Sequence, residues 1–256
     1  MKNRFVFVVP CYNAKSTIER MLMSVFCQTY DNWIILIRDD MSTDETDKLI
    51  VNYCVKNEVS VRHNGFEIKD WMGQNPKVFV HKNKEKFWEV KNVLSMIRED
   101  VVRDDDIICR LDGDDFLTDL CALQDINLAY NKSGCEVLWT AHRWGDTLQN
   151  ISNAMPSNAD PYKHPWVSSH FKTFRKHLIN DVAEENFFGE DGEYIKRTGD
   201  QAIYLPVLHK TNKRVFFPKE VYYYTIDMKP ETFQTDDAKF QKSEMEFLRN
   251  RGFISS

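Results

Sequence analysis

The sequence predicts an α/β protein: a single doubly wound, mainly parallel sheet flanked by helices, followed by a smaller and less regular region. Two observations carry this. Short apolar, β-branched runs alternate with segments of helical period through the first 117 residues. Two of those runs also end in paired aspartates, at the carboxyl ends of strands, where sheets of this kind bind their ligands.

Residues 5–9 (FVFVV) form the first strand, and 16–26 a helix with Ile18, Met21, Leu22, Val25 and Phe26 in phase. "WIILIRDD" (33–40) is a second buried strand, and 43–55 a helix carrying Leu49, Ile50 and Tyr53 on one face. "KVFVHK" (77–82) is a third strand. The next helix, 87–97, has Phe87, Val90, Val93, Leu94 and Ile97 at core spacing. "DIICRL" (106–111) is a fourth strand and "CEVLWTAHRW" (135–144) a fifth. Residues 145–165, rich in Asn, Ser, Asp and Pro, form a long loop of the kind that serves a function when it occurs inside a compact domain. Helices are expected at 173–180 and 200–210, strands at "RVFF" (214–217) and "VYYYTI" (221–226), and a terminal helix at 238–251.

The chain has 256 residues, 42% hydrophobic and 29% charged, enough for one large core or two small ones. A net charge of −5 argues against a general nucleic-acid binder and leaves nucleotides and sugars open. Six scattered cysteines, several inside apolar runs and none paired as C-x-x-C, read as buried free thiols in a reducing compartment. The N-terminal apolar run stops at Pro10, too short for a signal peptide or a membrane span, and no other stretch reaches the roughly 18 apolar residues of a span. The expectation is a cytoplasmic protein with no membrane span and no nucleic-acid partner.

"LDGDDFL" gathers Asp112, Asp114 and Asp115 around a turn at Gly113. Carboxylates at the first and third positions of such a turn can share a divalent cation, and hard oxygen ligands suit Mg²⁺ or Mn²⁺ with phosphates completing the shell. A solvated Asp-Gly turn is the alternative. Asp39 and Asp40 end another strand. Ser42, Thr43 and Asp44 are N-cap candidates for the helix that follows, so Asp39 and Asp40 need no acidity for capping. An aspartate at a strand end can accept a hydrogen bond from a nucleobase N–H. Two acidic strand ends in one sheet add repulsion that stability alone does not call for.

"VVPCYNAKSTIERMLMSVFCQTYDNWIILIRDDMSTDET" resembles the opening of the family 2 glycosyltransferases of the GT-A fold. "LDGDDFL" looks like their metal-binding D-x-D, and "HPWVSSHFKTFRKHLI" and "DGEYIKRTGDQAIYLPVLHKT" resemble acceptor-side segments of one branch. The resemblance runs over about residues 4–226, with the motifs in family order. It implies inverting transfer of a sugar from a nucleoside diphosphate sugar, a UDP-sugar by family frequency, to a hydroxyl of a glycan or other acceptor, with Mn²⁺ or Mg²⁺ as cofactor. Carried onto this chain, it implies that Pro10, Tyr12 and Asn13 line the nucleotide pocket and that Asp40, with Asp39, holds the base. Asp112 touches the ribose or the metal, beside Gly113, and Asp114 binds the metal. Asp115 assists or braces the turn. Asn92 faces the donor, and Asp200 in "GDQ" is the general base, with Glu190 and Asp191 the carboxylates next in reach. Gly199 stands where the family often has Glu, and His209 where a related segment often has Glu. A late metal-binding His has no counterpart near 222–227. The implied division is a nucleotide-sugar half (1–117), an acceptor half (118–230) and a C-terminal helix (231–256).

The chemistry is consistent with this. A carboxylate takes the proton of a weakly nucleophilic hydroxyl, and a cation neutralises charge on the departing diphosphate. Lys82, Lys84 and Lys86 read as a solvated helix start or as phosphate contacts. Phe87 and Trp139 read as core, His170 as structural, and Trp144 and Trp166 as sugar-stacking candidates. The histidines lack zinc-ligand spacing. A sugar nucleotidyltransferase would need a glycine-rich basic loop where this chain has "PCYNAKST". A binding module without transfer would not need two acidic stations.

Overall fold

Strand β1 (Phe5–Cys11) lies at the middle of the sheet, parallel to β2 (Trp33–Asp39) on one side and β6 (Ile107–Arg110) on the other. Its side chains divide by the two-residue period of a strand: Phe5, Phe7 and Val9 enter one core, Val6 and Val8 the other. Both faces are buried, which is why the sequence runs apolar without a gap. The chain is described by a computed structural model over residues 1–69, 75–147, 149–226 and 236–255.

Helices α1 (Ile18–Phe26), α2 (Thr46–Lys56) and α4 (Ala122–Ser133) cover the first face. On α1 the buried Ile18, Met21, Leu22 and Val25 form the stripe expected of an amphipathic helix. The second face is covered by α3 (Trp88–Ile97), α6 (Gly199–His209) and Leu248 of α7 (Asp236–Arg251). Helix α6 is buried along most of its length, and its Tyr204 hydroxyl donates to the backbone oxygens of Leu138 and Thr173.

The ten-stranded sheet has the order β4 (Phe66–Lys69), β3 (Val61–His63), β5 (Val78–Lys82), β2, β1, β6, β9 (Lys172–Arg175), β8 (Val137–Trp144), β10 (Arg214–Tyr224), β7 (Phe116–Leu117). It is parallel from β3 across to β6. Strand β9 then pairs antiparallel with both β6 and β8, while β8 and β10 are parallel. The carboxyl ends of β1, β2 and β6 therefore open onto one edge.

The helix expected at 173–180 is divided. Residues 172–175 are strand β9, and only α5 (His177–Asn180) is helical. Thr173 and Phe174 suit a strand. The Thr173 hydroxyl donates to Leu138 O, and Phe174 pairs with Ile108 and Val137, so sheet pairing overrides local helical spacing. "RVFF" and "VYYYTI" are one strand, β10, whose register shifts between Phe217 and Tyr222, around Pro218, which has no N–H to pair. Residues 63–76, between the second helix and the strand at 77–82, read from sequence as a loop, but the β3–β4 hairpin turns there through Asn64 and Gly65, both at positive φ, an Asn-Gly hairpin signal. Residues 70–74 of that loop lie outside the described residues.

Segment 145–165 has no helix or strand among its described residues but is packed. Met155 and Tyr162 are in the second core, Trp139 Nε1 donates to Asn153 O, and Arg249 donates to the carbonyls of Tyr162 and His164. Trp139 is fully buried, as expected; Phe87 is only half-buried, with the Lys91 ammonium 3.8 Å from its ring centre. All six cysteines are free, and Cys11, Cys54, Cys109 and Cys135 are buried. No helix among the described residues is long and apolar enough to cross a membrane.

Candidate functional site

The loops after β1 and β2 are joined to each other. Asn13 N donates to Ser42 Oγ, its side-chain oxygen accepts from Thr43 N, and Ala14 N donates to Thr46 Oγ1. Asp44 accepts from both groups of Thr46 and from Lys15 N. "PCYNA" and "DDMSTDET" are thus two halves of one hydrogen-bonded floor.

Asp40 does have a capping duty, contrary to the reading of the sequence, whereas Asp39 closes a turn rather than capping a helix. Asp39 is fully buried and its Oδ1 accepts from Ser42 N at 2.7 Å, closing the turn after β2. Asp40 accepts from Phe87 N (2.7 Å), Trp88 N (2.9 Å) and Asn83 Nδ2 (2.8 Å). It caps α3 from another strand end, and these donors hold its carboxyl below the usual range against the opposing effect of burial. Asn83 also donates to Asn92 Oδ1, so Asp40, Asn83 and Asn92 form one buried set. Trp88, at φ +59, is in a left-handed conformation costly for a bulky residue; its N–H is one of those held by Asp40.

The turn after β6 places its three aspartates differently. Gly113 packs against the loop after β1: a Cβ there would lie 2.8 Å from Cys11 Cβ. Asp114 keeps solvent access at the rim, but the surrounding protein partly desolvates it, and this together with the Asp112 charge raises it to about 6. Asp115 points inward, accepting from Tyr222 Oη at 2.6 Å and Thr225 N at 2.7 Å. Burial and its two acidic neighbours push it well above the usual carboxyl range. Asp112, Asp115 and His170 offer ligating atoms within 4.8 Å of one another. Asp114, the expected ligand, stands outside that triplet. His170, read from sequence as structural, is stacked between Tyr222 and Tyr224, and its Nδ1 is buried without a partner among the described residues. Burial and the Lys172 charge hold its imidazole neutral, the state that ligates.

Arg110 ends β6 almost fully buried and joins three carboxylates: Glu89, Asp112 (2.6 Å) and Asp200 (3.0 Å). Asp200, part-exposed, also accepts from Lys172 Nζ at 2.7 Å, and the two cations hold it far below the usual range against the desolvation of its setting. It lies in the first turn of α6, whose N-cap is Thr198. Burial, with Asp200 and Asp112 adding to it against the pull of Arg110, raises Glu89 to about 7.

A cleft of about 670 Å³ at this edge is lined by Pro10, Tyr12, Asn13, Asp40, Asn92, Asp112, Gly113 and Asp114. Asp39 is not among the lining residues. Of the three lysines only Lys86 lines it, its ammonium 3.2 Å from the Tyr12 ring centre. An adjoining cleft of about 280 Å³ is lined by Asp200, His142, His170, Trp144 and Trp166. Glu89, Arg110, Asp112, Arg197 and Gln241 border both. Glu190 and Asp191 line neither. Sequence reading missed Glu89, Arg110, Lys172, Arg197 and the α7 residues Asp237 and Gln241. Arg110 alone had a visible signal, a charge inside the apolar run "IICRL".

This arrangement of sheet and helices is the fold of the GT-A glycosyltransferases. Structures of S. aureus TarS are similar: TarS 1–349 in complex with UDP-GlcNAc gives a TM-score of 0.66 at 17% identity, covering 96% of this chain and 72% of that one. Mannosyltransferase PcManGT from Pyrobaculum calidifontis, in complex with GDP-Man and Mn²⁺, gives 0.63 at 12% identity over 100% and 66%. The model of the family described as glycosyl transferase family 2 matches residues 6–183, and the chain belongs to that family. UDP-Glc:alpha-D-GlcNAc-diphosphoundecaprenol beta-1,3-glucosyltransferase WfgD of Escherichia coli is 49% identical over 39 residues, 15% of each chain. The present chain spans 43% of the longer TarS chain.

Proposed function

We propose that this protein transfers a sugar, with inversion, from a UDP-sugar to a hydroxyl of a glycan or other acceptor. One observation carries the reading: the nucleotide-side residues share one cleft, and it meets a second, tryptophan-bordered cleft at Glu89, Arg110 and Asp112. The donor occupies the larger cleft and the acceptor the smaller. Residues 1–117 supply most of the donor side, 118–230 most of the acceptor side, and the 231–256 region adds Asp237 and Gln241 to the donor cleft. The UDP-GlcNAc bound by TarS and the UDP-Glc of WfgD favour uridine.

A divalent cation, Mn²⁺ or Mg²⁺, fits Asp112, Asp115 and His170, with Asp114 at the rim. The unpartnered His170 Nδ1 and the crowding of carboxylates are what a cation would satisfy. When bound it neutralises negative charge on the diphosphate. Tyr12 and Lys86 border the nucleotide, Asp40 and Asn92 hold the base side, and Trp144 and Trp166 offer faces to an acceptor sugar. The test is release of nucleoside diphosphate from UDP-glucose, UDP-GlcNAc and GDP-mannose, with and without Mn²⁺. Mn²⁺-dependent UDP release is expected. No release from any donor, with no thermal stabilisation by UDP, refutes the reading.

A further inference from the structure

We propose that Glu89, not Asp200, accepts the proton of the acceptor hydroxyl, an assignment that rests on the transfer reaction proposed above. Three observations lead to it. Glu89 borders both clefts, whereas Asp200 borders only the smaller of the two. A proton acceptor must stand where donor and acceptor meet.

The carboxylate environments also differ. Asp200 Oδ1 is shared by Arg110 and Lys172, two full positive charges. Glu89 meets Arg110 through Oε1, and its Oε2 has no hydrogen-bond partner among the described residues. The groups facing it are Arg110 from β6, Asp112 after that strand and Asp200 from α6, with Arg197 on the same cleft wall. Their balance with burial brings it to about 7, matched to proton transfer near neutrality.

The third observation is Gly199. A Cβ built there would lie 2.1 Å from both Glu89 Cδ and Oε1. The start of α6 therefore has room for the Glu89 carboxylate only because residue 199 has no side chain. The space that a side chain at position 199 would take at the head of α6 is filled by a carboxylate from α3.

In the step, the acceptor oxygen bonds to the anomeric carbon as the bond from that carbon to the diphosphate oxygen breaks. The electron pair leaves with the diphosphate, and the hydroxyl proton passes to Glu89. Asp200 is then a positioning residue, holding Arg110 and neutralising Lys172.

The test is UDP release from UDP-glucose and UDP-GlcNAc with water as acceptor, in Mn²⁺, from pH 5 to 9, beside UDP titration calorimetry. Wild type should show an acid limb near pH 7. Glu89→Gln should lose about 10²-fold or more of the rate and the limb with it, with UDP affinity within about twofold. Glu89→Ala paired with Gly199→Asp sets a carboxyl carbon one bond from the clashing Cβ position, and should recover about tenfold over Glu89→Ala alone. An active wild type with an equally active Glu89→Gln, or with an unmoved acid limb, overturns this assignment alone. A wild type that releases no UDP overturns the transferase reading and this assignment together.

Discussion

The Tyr222 hydroxyl donates to Asp115 Oδ2 at 2.6 Å, so the second half of the chain holds a carboxylate of the turn that follows β6. Both residues are buried, and Tyr222 also stacks on His170. Tyr222→Phe leaves Asp115 with the Thr225 N–H as its remaining donor among the described residues. The fold should lose about 1–3 kcal/mol, and Mn²⁺ affinity should fall about 10–100-fold, as when the support of a ligand is removed. Electron paramagnetic resonance titration of Mn²⁺ checks this. Unchanged affinity would separate Asp115 from the metal.

Asp40 both caps α3 and lines the larger cleft, so its removal should affect stability and donor binding together. Asp40→Ala strips two backbone N–H groups at the start of α3 of their acceptor and should cost about 1–2 kcal/mol in denaturant unfolding. UDP affinity should drop roughly tenfold, the size of one lost charge-assisted hydrogen bond. A loss of stability with unaltered UDP binding would reduce Asp40 to a cap.

Asp200→Asn separates an electrostatic role from a capping one. Asparagine caps as well as aspartate, so a cap would tolerate the change. Lys172, however, is 2% exposed, and Asp200 is its ion-pair partner. Leaving that charge uncompensated should cost about 3 kcal/mol, the lower end for a broken buried pair because Asp200 itself is part-exposed. A thermal midpoint equal to wild type would contradict this.

Stability should depend on pH through Glu89. Folded, it keeps its proton up to about 7, against 4.5 ordinarily. Folding thus takes up a proton between those values, and the stabilisation is present below about 4.5 and lost as pH climbs through 7. Glu89→Gln has no such dependence. Its midpoint relative to wild type should rise by a few degrees from pH 5 to pH 8. A difference that stays flat would mean Arg110 keeps Glu89 ionised throughout.

The 145–165 segment reads from sequence as a long functional loop, which could close over a ligand as a lid, but its anchoring favours a fixed wall. Limited trypsin digestion should spare Lys163 in wild type. Arg249→Ala, which frees the carbonyls of Tyr162 and His164, should expose it. Rapid cleavage in wild type that donor suppresses would restore the lid.

What was legible in the sequence was local. The first two strands announce themselves in the apolar runs 5–9 and 33–37, and the Asp112–Asp115 turn is visible in a single heptapeptide. Contacts set by the sheet were not. Nothing near Asp40 says that it holds the N–H groups of Phe87 and Trp88, and nothing near Gly199 points to Glu89. His170 joins Asp112 only because β9 lies beside β6. Asp39 and Asp40 look alike in sequence and both are buried, but Asp39 closes its own turn through Ser42 N while Asp40 reaches the start of α3 and lines the cleft.

Strand β9 is made after β8 yet lies between it and β6. While the ribosome is still short of residue 175, the nascent sheet has an open edge along Ile107–Arg110, a row of unpaired amides able to recruit another strand. A fragment stopped at 117 would carry that edge permanently and should aggregate, even though it contains most residues of the larger cleft. The order of synthesis thus leaves His170 and Lys172 to arrive with the strand that seals the edge, so the chemistry can be assembled only once the sheet is protected.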